Sequence, residues 1–551
     1  MRTPTSKRQN VETSKRYGCP ILATARVGDG WGGMPKLGAA ERRHVLRRHG
    51  GASLGHATRR HMKATVAVTW FFILTTATFA QSATPVDLAT SWGDTYRKRF
   101  EGIDKDRVAV SASRCGGTTG CHQGSPTLDD SRILGTEYDS WYAREKGVHF
   151  RALRSLADDP RSARMTAILY GPGAKPEDTP QCRACHTLDV PPDLRGVSGF
   201  ELRDGVSCES CHGRSQDWGG GLHYSKKWRA EMSVEDRTNK GFYDTRDLIR
   251  RTEKCLECHL GTETKQVTHT MLAAGHPPLT FELSSDLNGV PKHWKDANSY
   301  LSADEGPWFA ARVWAVGQAV LLRESMYLLV NTLANAEAVD FAVFECYACH
   351  HDLREAKQPS WRQGPALDKS RLGQPAWETS AYAMCRPLVE GFMPDAKPMF
   401  DRSADLLNTQ LRITGADRSA AHAAASDLAA IADQLAAKLN ATRFDRAAAL
   451  RIVRALLRER DDLAARGYRT AVQVDYALHA LSAEGMSTAT GGSATRGSAS
   501  GSSANQSPIH DTLVQLEKLL RTEKDEENPK DYDGLRFAEL LKQLESQLPA
   551  D

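Results

Sequence analysis

The sequence is poor in the signals that build sheets. Alternating Val/Ile/Thr runs are scarce from end to end, and no internal repeat of solenoid period is present. Cysteine is sparse, 12 in 551 residues, which excludes a scaffold stapled by disulfides. With 40% apolar and 25% charged residues the chain is neither disordered, collagen-like nor a multi-span membrane protein. Net charge is also scarce, and the total of +4 is misleading. Residues 1–61 hold 13 Lys/Arg against 3 Asp/Glu, whereas from residue 82 onward the count is 58 against 65. The part expected to fold is therefore acidic, which argues against a partner with a phosphate backbone such as nucleic acid. Length alone suggests about three domains of roughly 150 residues.

Residues 1–61 are rich in Arg and Gly without helical or strand period, and read as a non-native or disordered extension. Met62 and Lys63 then open an apolar stretch that ends in small residues before Gln81. Its uninterrupted apolar part is shorter than the roughly 20 residues of a membrane span. The layout of 62–81 is that of a secretory signal peptide, which implies a periplasmic or otherwise exported protein; left uncleaved, it would anchor the chain to a membrane.

Residues 82–399 are polar and punctuated by Gly and Pro, and such a segment needs something other than a large apolar core to organise it. Within it, 307–344 reads as a long amphipathic helix interrupted near Asn335. Residues 400–486 are rich in Ala, Leu and Arg. Leu428, Ile431, Leu435 and Leu439 share one helical face, and Leu450, Val453, Leu456 and Leu457 resume it after a break near Asn440. This predicts a helical bundle. A Gly/Ser/Thr linker occupies 487–507, and 508–551 reads as a helical pair built on Leu513, Leu516, Leu519, Leu520, Leu535, Phe537, Leu540, Leu541 and Leu544. The fold class expected is mainly α with extensive loops.

What the chain does have is one motif, repeated. Cys-x-x-Cys-His occurs at Cys182, Cys185, His186; at Cys208, Cys211, His212; at Cys255, Cys258, His259; and at Cys346, Cys349, His350. At this content of Cys and His, composition alone would give only ~0.01 such sites. The spacing is that of covalent haem c attachment: two thiols add to the vinyl groups of one porphyrin edge, and the next residue brings an imidazole to the iron. A zinc site needs no His after every Cys pair, and a thioredoxin-like pair needs a strand–helix setting. A fifth site, Cys115 and Cys121 followed by His122, has five residues between the thiols. Its Gly/Thr-rich insert can loop out while both thiols reach one porphyrin, so a fifth haem is expected there. Cys385 has no partner in sequence and reads as a buried or free thiol.

Each iron has a second axial position. Outside the motifs the candidates are His149, His223, His269, His276, His293 and His351, with His293, in a Pro-Lys-His-Trp context, the weakest. Five irons and six candidates permit bis-His ligation throughout, which favours electron transfer over substrate chemistry. His269 and His276 lie seven apart, two turns along one face if the segment is helical. His351 directly follows His350 and must face another haem.

Three segments resemble the multihaem cytochrome c-554 family: residues 141–149; Gly205-Val-Ser-Cys-Glu-Ser-Cys-His-Gly213; and residues 269–283, which read HTMLAAGHPPLTFEL. The likeness covers about 107–355, with 305–355 similar to a pentahaem subset. It implies a haem-organised domain of stacked haems, exported by bacteria, followed here by helices with no counterpart. It also implies that His149, His223, His269 and His276 are distal ligands. Two functions follow as expectations. One is an electron carrier between redox-partner proteins, basic or membrane-bound, given the acidic chain and its haem propionates. The other is an oxidoreductase acting on a small nitrogen or sulfur compound at one five-coordinate haem.

Overall fold

A computed structural model describes residues 106–116, 122–123, 137–142, 147–196, 199–291, 293, 308–336, 338–346, 377–411, 417–482, 508–521 and 532–549. The extension, the signal-like segment, the 487–507 linker and the site residues Cys121, Cys349, His350 and His351 lie outside these residues.

The fold is mainly α with extensive loops, and among the described residues the only β pairing consists of isolated bridges. Short helices come first: α1 Glu137–Tyr142, α2 Ala152–Asp158, α3 Pro160–Tyr170, α4 Pro180–His186, α5 Cys208–His212, α6 Val234–Asn239, α7 Leu248–His259, α8 His269–Ala274 and α9 Leu283–Gly289. Longer ones follow: α10 Phe309–Asn335, α11 Ser380–Phe392, α12 Lys397–Gln410, α13 Arg418–Ala441, α14 Arg446–Arg458, α15 Arg460–Ala465, α16 Tyr468–Ser482, α17 Pro508–Leu520 and α18 Gly534–Gln547. Asp247, Asp417, Asp445 and Asp533 cap α7, α13, α14 and α18 by accepting a hydrogen bond from a first-turn amide. The break expected near Asn440 is the turn between α13 and α14.

The two halves differ in what fills them. Few apolar residues are buried among α1 to α6, whereas α10 to α18 share one continuous apolar core that also takes in Leu248, Leu256, Phe281 and Leu283. Leu428, Ile431, Leu435 and Leu439 are buried, as are Leu513, Leu516, Leu520, Phe537, Leu540, Leu541 and Leu544. Each such side chain contributes about 1.5–3 kcal/mol when fully buried. Leu535 departs from the expected pattern and is 61% exposed.

Helix α10 also departs from expectation. By length and composition it could cross a membrane, and the periodicity reads it as amphipathic, yet most of its apolar length is buried within the protein. It packs against α13, α11 and α16 on one flank and against α7 and α9 on the other. Gly317 makes the α9 contact possible, because a Cβ there would stand 2.7 Å from the Leu283 Cβ.

Its buried polar residues are the reason the helix does not look uniformly apolar. Arg323, 2% exposed, binds Glu253 of α7, Glu324 and, at 2.8 Å, Asp433 of α13. Tyr243 Oη donates to Glu253 at 3.0 Å. Gln318 donates to Gln473 of α16 at 2.8 Å, and Gln473 donates to the Phe281 carbonyl at 3.2 Å. Asn440 donates to Asp247 at 2.7 Å, and Arg312 to the Asn440 carbonyl at 3.0 Å. These bonds tie the C-terminal helices to α7, which carries a cysteine motif. Replacing Arg323 by Met would leave carboxylates facing one another without their cation; the expected loss is about 3–5 kcal/mol, read as a lowered melting temperature.

Candidate functional site

Three of the motifs form helix C-termini, the last turn of α4, of α5 and of α7. The helix explains the spacing. Residues three apart share a face, so both thiols point to one side, and the His four after the first Cys lies above the same face. The turn must then stop. Gly213 ends α5 at φ 81°, where a Cβ would stand 2.0 Å from the Gly241 carbonyl oxygen. Gly205, at φ 61°, has room for no side chain either: a Cβ would lie 2.5 Å from the carbonyl oxygens of His149 and Phe150. There the Val206 amide donates to the His149 carbonyl at 3.0 Å, which fastens the His149 loop to the strand of chain entering α5.

The fifth site is built differently. A short 3₁₀ turn, Ala112–Arg114, delivers Cys115. The His122 amide donates to the Cys115 carbonyl at 3.0 Å, which brings the motif His back beside its first thiol. The anchor for this segment is Glu209, a spacer residue of the α5 motif that is 3% exposed. Its carboxylate accepts from the amides of Val110 and Ser111, both within 3.1 Å, and from the Ser215 amide and hydroxyl at 2.7 Å. Sequence reasoning passed over Glu209 because the motif leaves that position free.

The motifs meet in pairs. The Cys115 thiol is within hydrogen-bonding reach of Cys208, and Cys185 of Cys258. The described cysteines are free thiols. Burial pushes Cys211 up to about 11 and Cys385, which is fully buried, well above its ordinary value. Cys211, His212, Cys255 and Cys258 are half-buried. Among the described residues, no group of three or more His, Cys, Asp or Glu could hold a metal ion directly.

Three motif histidines stand beside histidines from outside the motifs. His122 and His223 have ring centroids 6.2 Å apart, His259 and His149 6.2 Å, and His212 and His293 6.5 Å. Each pair joins a motif His to a His outside the motifs. Two imidazoles binding one metal ion from opposite sides, each through a bond of about 2 Å, have centroids roughly 6 Å apart. A porphyrin iron fits these gaps. His276 is close enough to His186 to disfavour its protonation.

Ring chemistry agrees. Nδ1 of His223, His276 and His293 bonds a backbone carbonyl, of Gly220 at 3.0 Å, Pro277 at 2.7 Å and Pro291 at 3.0 Å. A carbonyl only accepts, so Nδ1 carries the proton and Nε2 presents its lone pair, as an iron ligand must. Burial lowers the pKa of all three, and takes His149, His186 and His212 down to about 4, so these rings are neutral at pH 7. His122 is the exception: Glu137, 3.6 Å from its Nδ1, holds its pKa up.

Two sequence expectations change in detail. His269 and His276 do not share a helical face, because α8 ends at Gly275 with φ 116°, leaving His276 beyond it. His269 instead opens the helix, its amide bound to Asp340 at 2.8 Å and its ring 5.5 Å from Phe341, in the segment that leads to Cys346. His293, the weakest candidate, is brought against a motif His.

Residues 119–213 match the family model described as cytochrome c554 and c-prime. No curated protein and no solved structure matches the chain. Over the matched stretch the chain is similar to cytochrome c554, and together with the repeated Cys-x-x-Cys-His motif this supports a c554-like multihaem cytochrome, a family whose cofactor is haem c. Replacing Glu209 by Ala strips four donors of their acceptor; unpaired buried donors cost about 1–3 kcal/mol each. The expected outcome is a less stable protein whose intact mass shows a fraction lacking the haem on Cys115 and Cys121.

Proposed function

We propose that this cytochrome is an exported carrier that passes electrons between redox-partner proteins through closely packed haems, each iron held between two histidines. The observation that carries the reading is the set of three facing imidazole pairs at 6.2–6.5 Å. An iron closed on both faces exchanges electrons without binding substrate. Haem c supplies the one-electron chemistry; the chain's own residues hold it, orient it and set its surroundings.

The pairs assign distal ligands. His223 serves the iron of His122, His293 that of His212, and His149 that of His259. By the resemblance, His276 would be a further distal ligand, and the other assignments leave His186 as the motif His it could serve. On this reading His269, whose ring lies beside Phe341 in the segment leading to Cys346, would serve the haem of the Cys346 motif, which makes five haems and leaves His351 unused. Contact between Cys115 and Cys208, and between Cys185 and Cys258, draws the edges of the haems they carry together two by two. That supports a continuous path. Near Cys346, Glu345 adds one of the acidic groups by which the chain beyond residue 82 would favour a basic partner. The signal-like layout of 62–81 supports export.

The test pairs intact mass with optical spectra of the purified holoprotein, reduced with and without carbon monoxide. Mass for five haems and a spectrum indifferent to carbon monoxide are expected; a carbon monoxide adduct in the wild type would favour the enzyme reading instead. His293→Ala and His269→Ala should each open one haem per chain to carbon monoxide, and His351→Ala none.

A further inference from the structure

One buried indole touches the distal rings of two different pairs. Trp141, at 7% exposure, lies parallel to His149, with centroids 5.5 Å apart and planes 3° from coincidence. It meets His293 edge-on at 5.1 Å and 70°. Its own orientation is fixed, because Nε1 donates to the Val206 carbonyl at 3.1 Å while the Val206 amide bonds the His149 carbonyl. Indole, His149 loop and the entry to α5 thus form one closed unit.

The ring planes within the pairs differ accordingly. His122 and His223, which Trp141 does not touch, are 18° from parallel. His149 and His259 stand at 64°, and His212 and His293 at 85°. A distal imidazole can rotate about its metal–nitrogen bond, so its plane is set by what packs against it. The angle matters electronically. Parallel ring planes split the two iron d orbitals that interact with them, whereas crossed planes leave those orbitals nearly equal in energy.

We propose that Trp141 is a positioning residue shared by two haem sites: it holds His149 and His293 turned out of plane with their proximal partners, and so sets the electronic state of the irons of His259 and His212 together. The idea rests on the bis-His reading above. Aromatic rings in contact favour particular mutual orientations, so the packed indole biases the planes that the two imidazoles can take.

Electron paramagnetic resonance of the oxidised, full-length holoprotein tests this, together with a potentiometric titration. In the wild type, at least two low-spin centres should show the large-gmax signal of crossed ligands, and one the well-resolved rhombic signal of parallel ones. Trp141→Phe should shift the g-values and midpoint potentials of two centres and leave the rhombic one unchanged, with haem mass retained. Trp141→Leu should do so more strongly; should that variant lose haem, the Phe variant decides. Unaltered spectra, or equal changes at every centre, would overturn the proposal. Carbon monoxide binding by the wild-type protein would instead remove the bis-His reading, and the proposal with it.

Discussion

The fold of the first half turns on one constraint: motif histidines are held beside histidines from elsewhere in the chain, with ring centroids 6.2–6.5 Å apart. Residues 106–293 bury few apolar side chains, so the usual driving force is thin there. In its place the chain arranges short helices around rings. Three of them end at a motif His, and backbone carbonyls on Nδ1 of His223 and His293 orient two of the rings that stand beside motif histidines. The glycines at 205 and 213 are part of the same economy of space, since each lets backbone approach backbone where a ring has to be held.

The second half obeys ordinary packing, and the two are joined through α10. This helix has neighbours in both halves, and α13 and α16 reinforce the junction through their own contacts with α7 and α9. The salt-bridged Arg323, with Glu253 on α7 and Asp433 on α13, makes the junction specific rather than merely greasy. Because Glu253 lies two residues before Cys255, a shift in the bundle is felt directly at a haem-bearing helix.

Much of this was legible beforehand, for physical reasons. The thiol spacing is a helical spacing, so the motifs announced both cofactor and local geometry. The leucine faces of α13, α14, α17 and α18 followed from period, with Leu535 the exception because it sits in the first turn of α18, outside the buried stripe. Other features could not be read. The burial of α10 was masked by Arg312, Gln318, Arg323 and Glu324, whose partners lie far along the chain. Glu209 occupies a position that the motif leaves open. His293 carries no local signal, and only folding brings it against His212. The shared helical face imagined for His269 and His276 failed at Gly275, whose left-handed φ ends the turn.

The position of α10 in the chain has a consequence for biogenesis. The helix that covers it most fully, α13, begins at Arg418, more than eighty residues after α10 ends at Asn335. During synthesis or passage across a membrane, α10 therefore emerges well before its cover. Through that interval α7, with its Cys255 and Cys258, lacks the contacts that α13 makes with it, the bond from Asn440 to Asp247 among them.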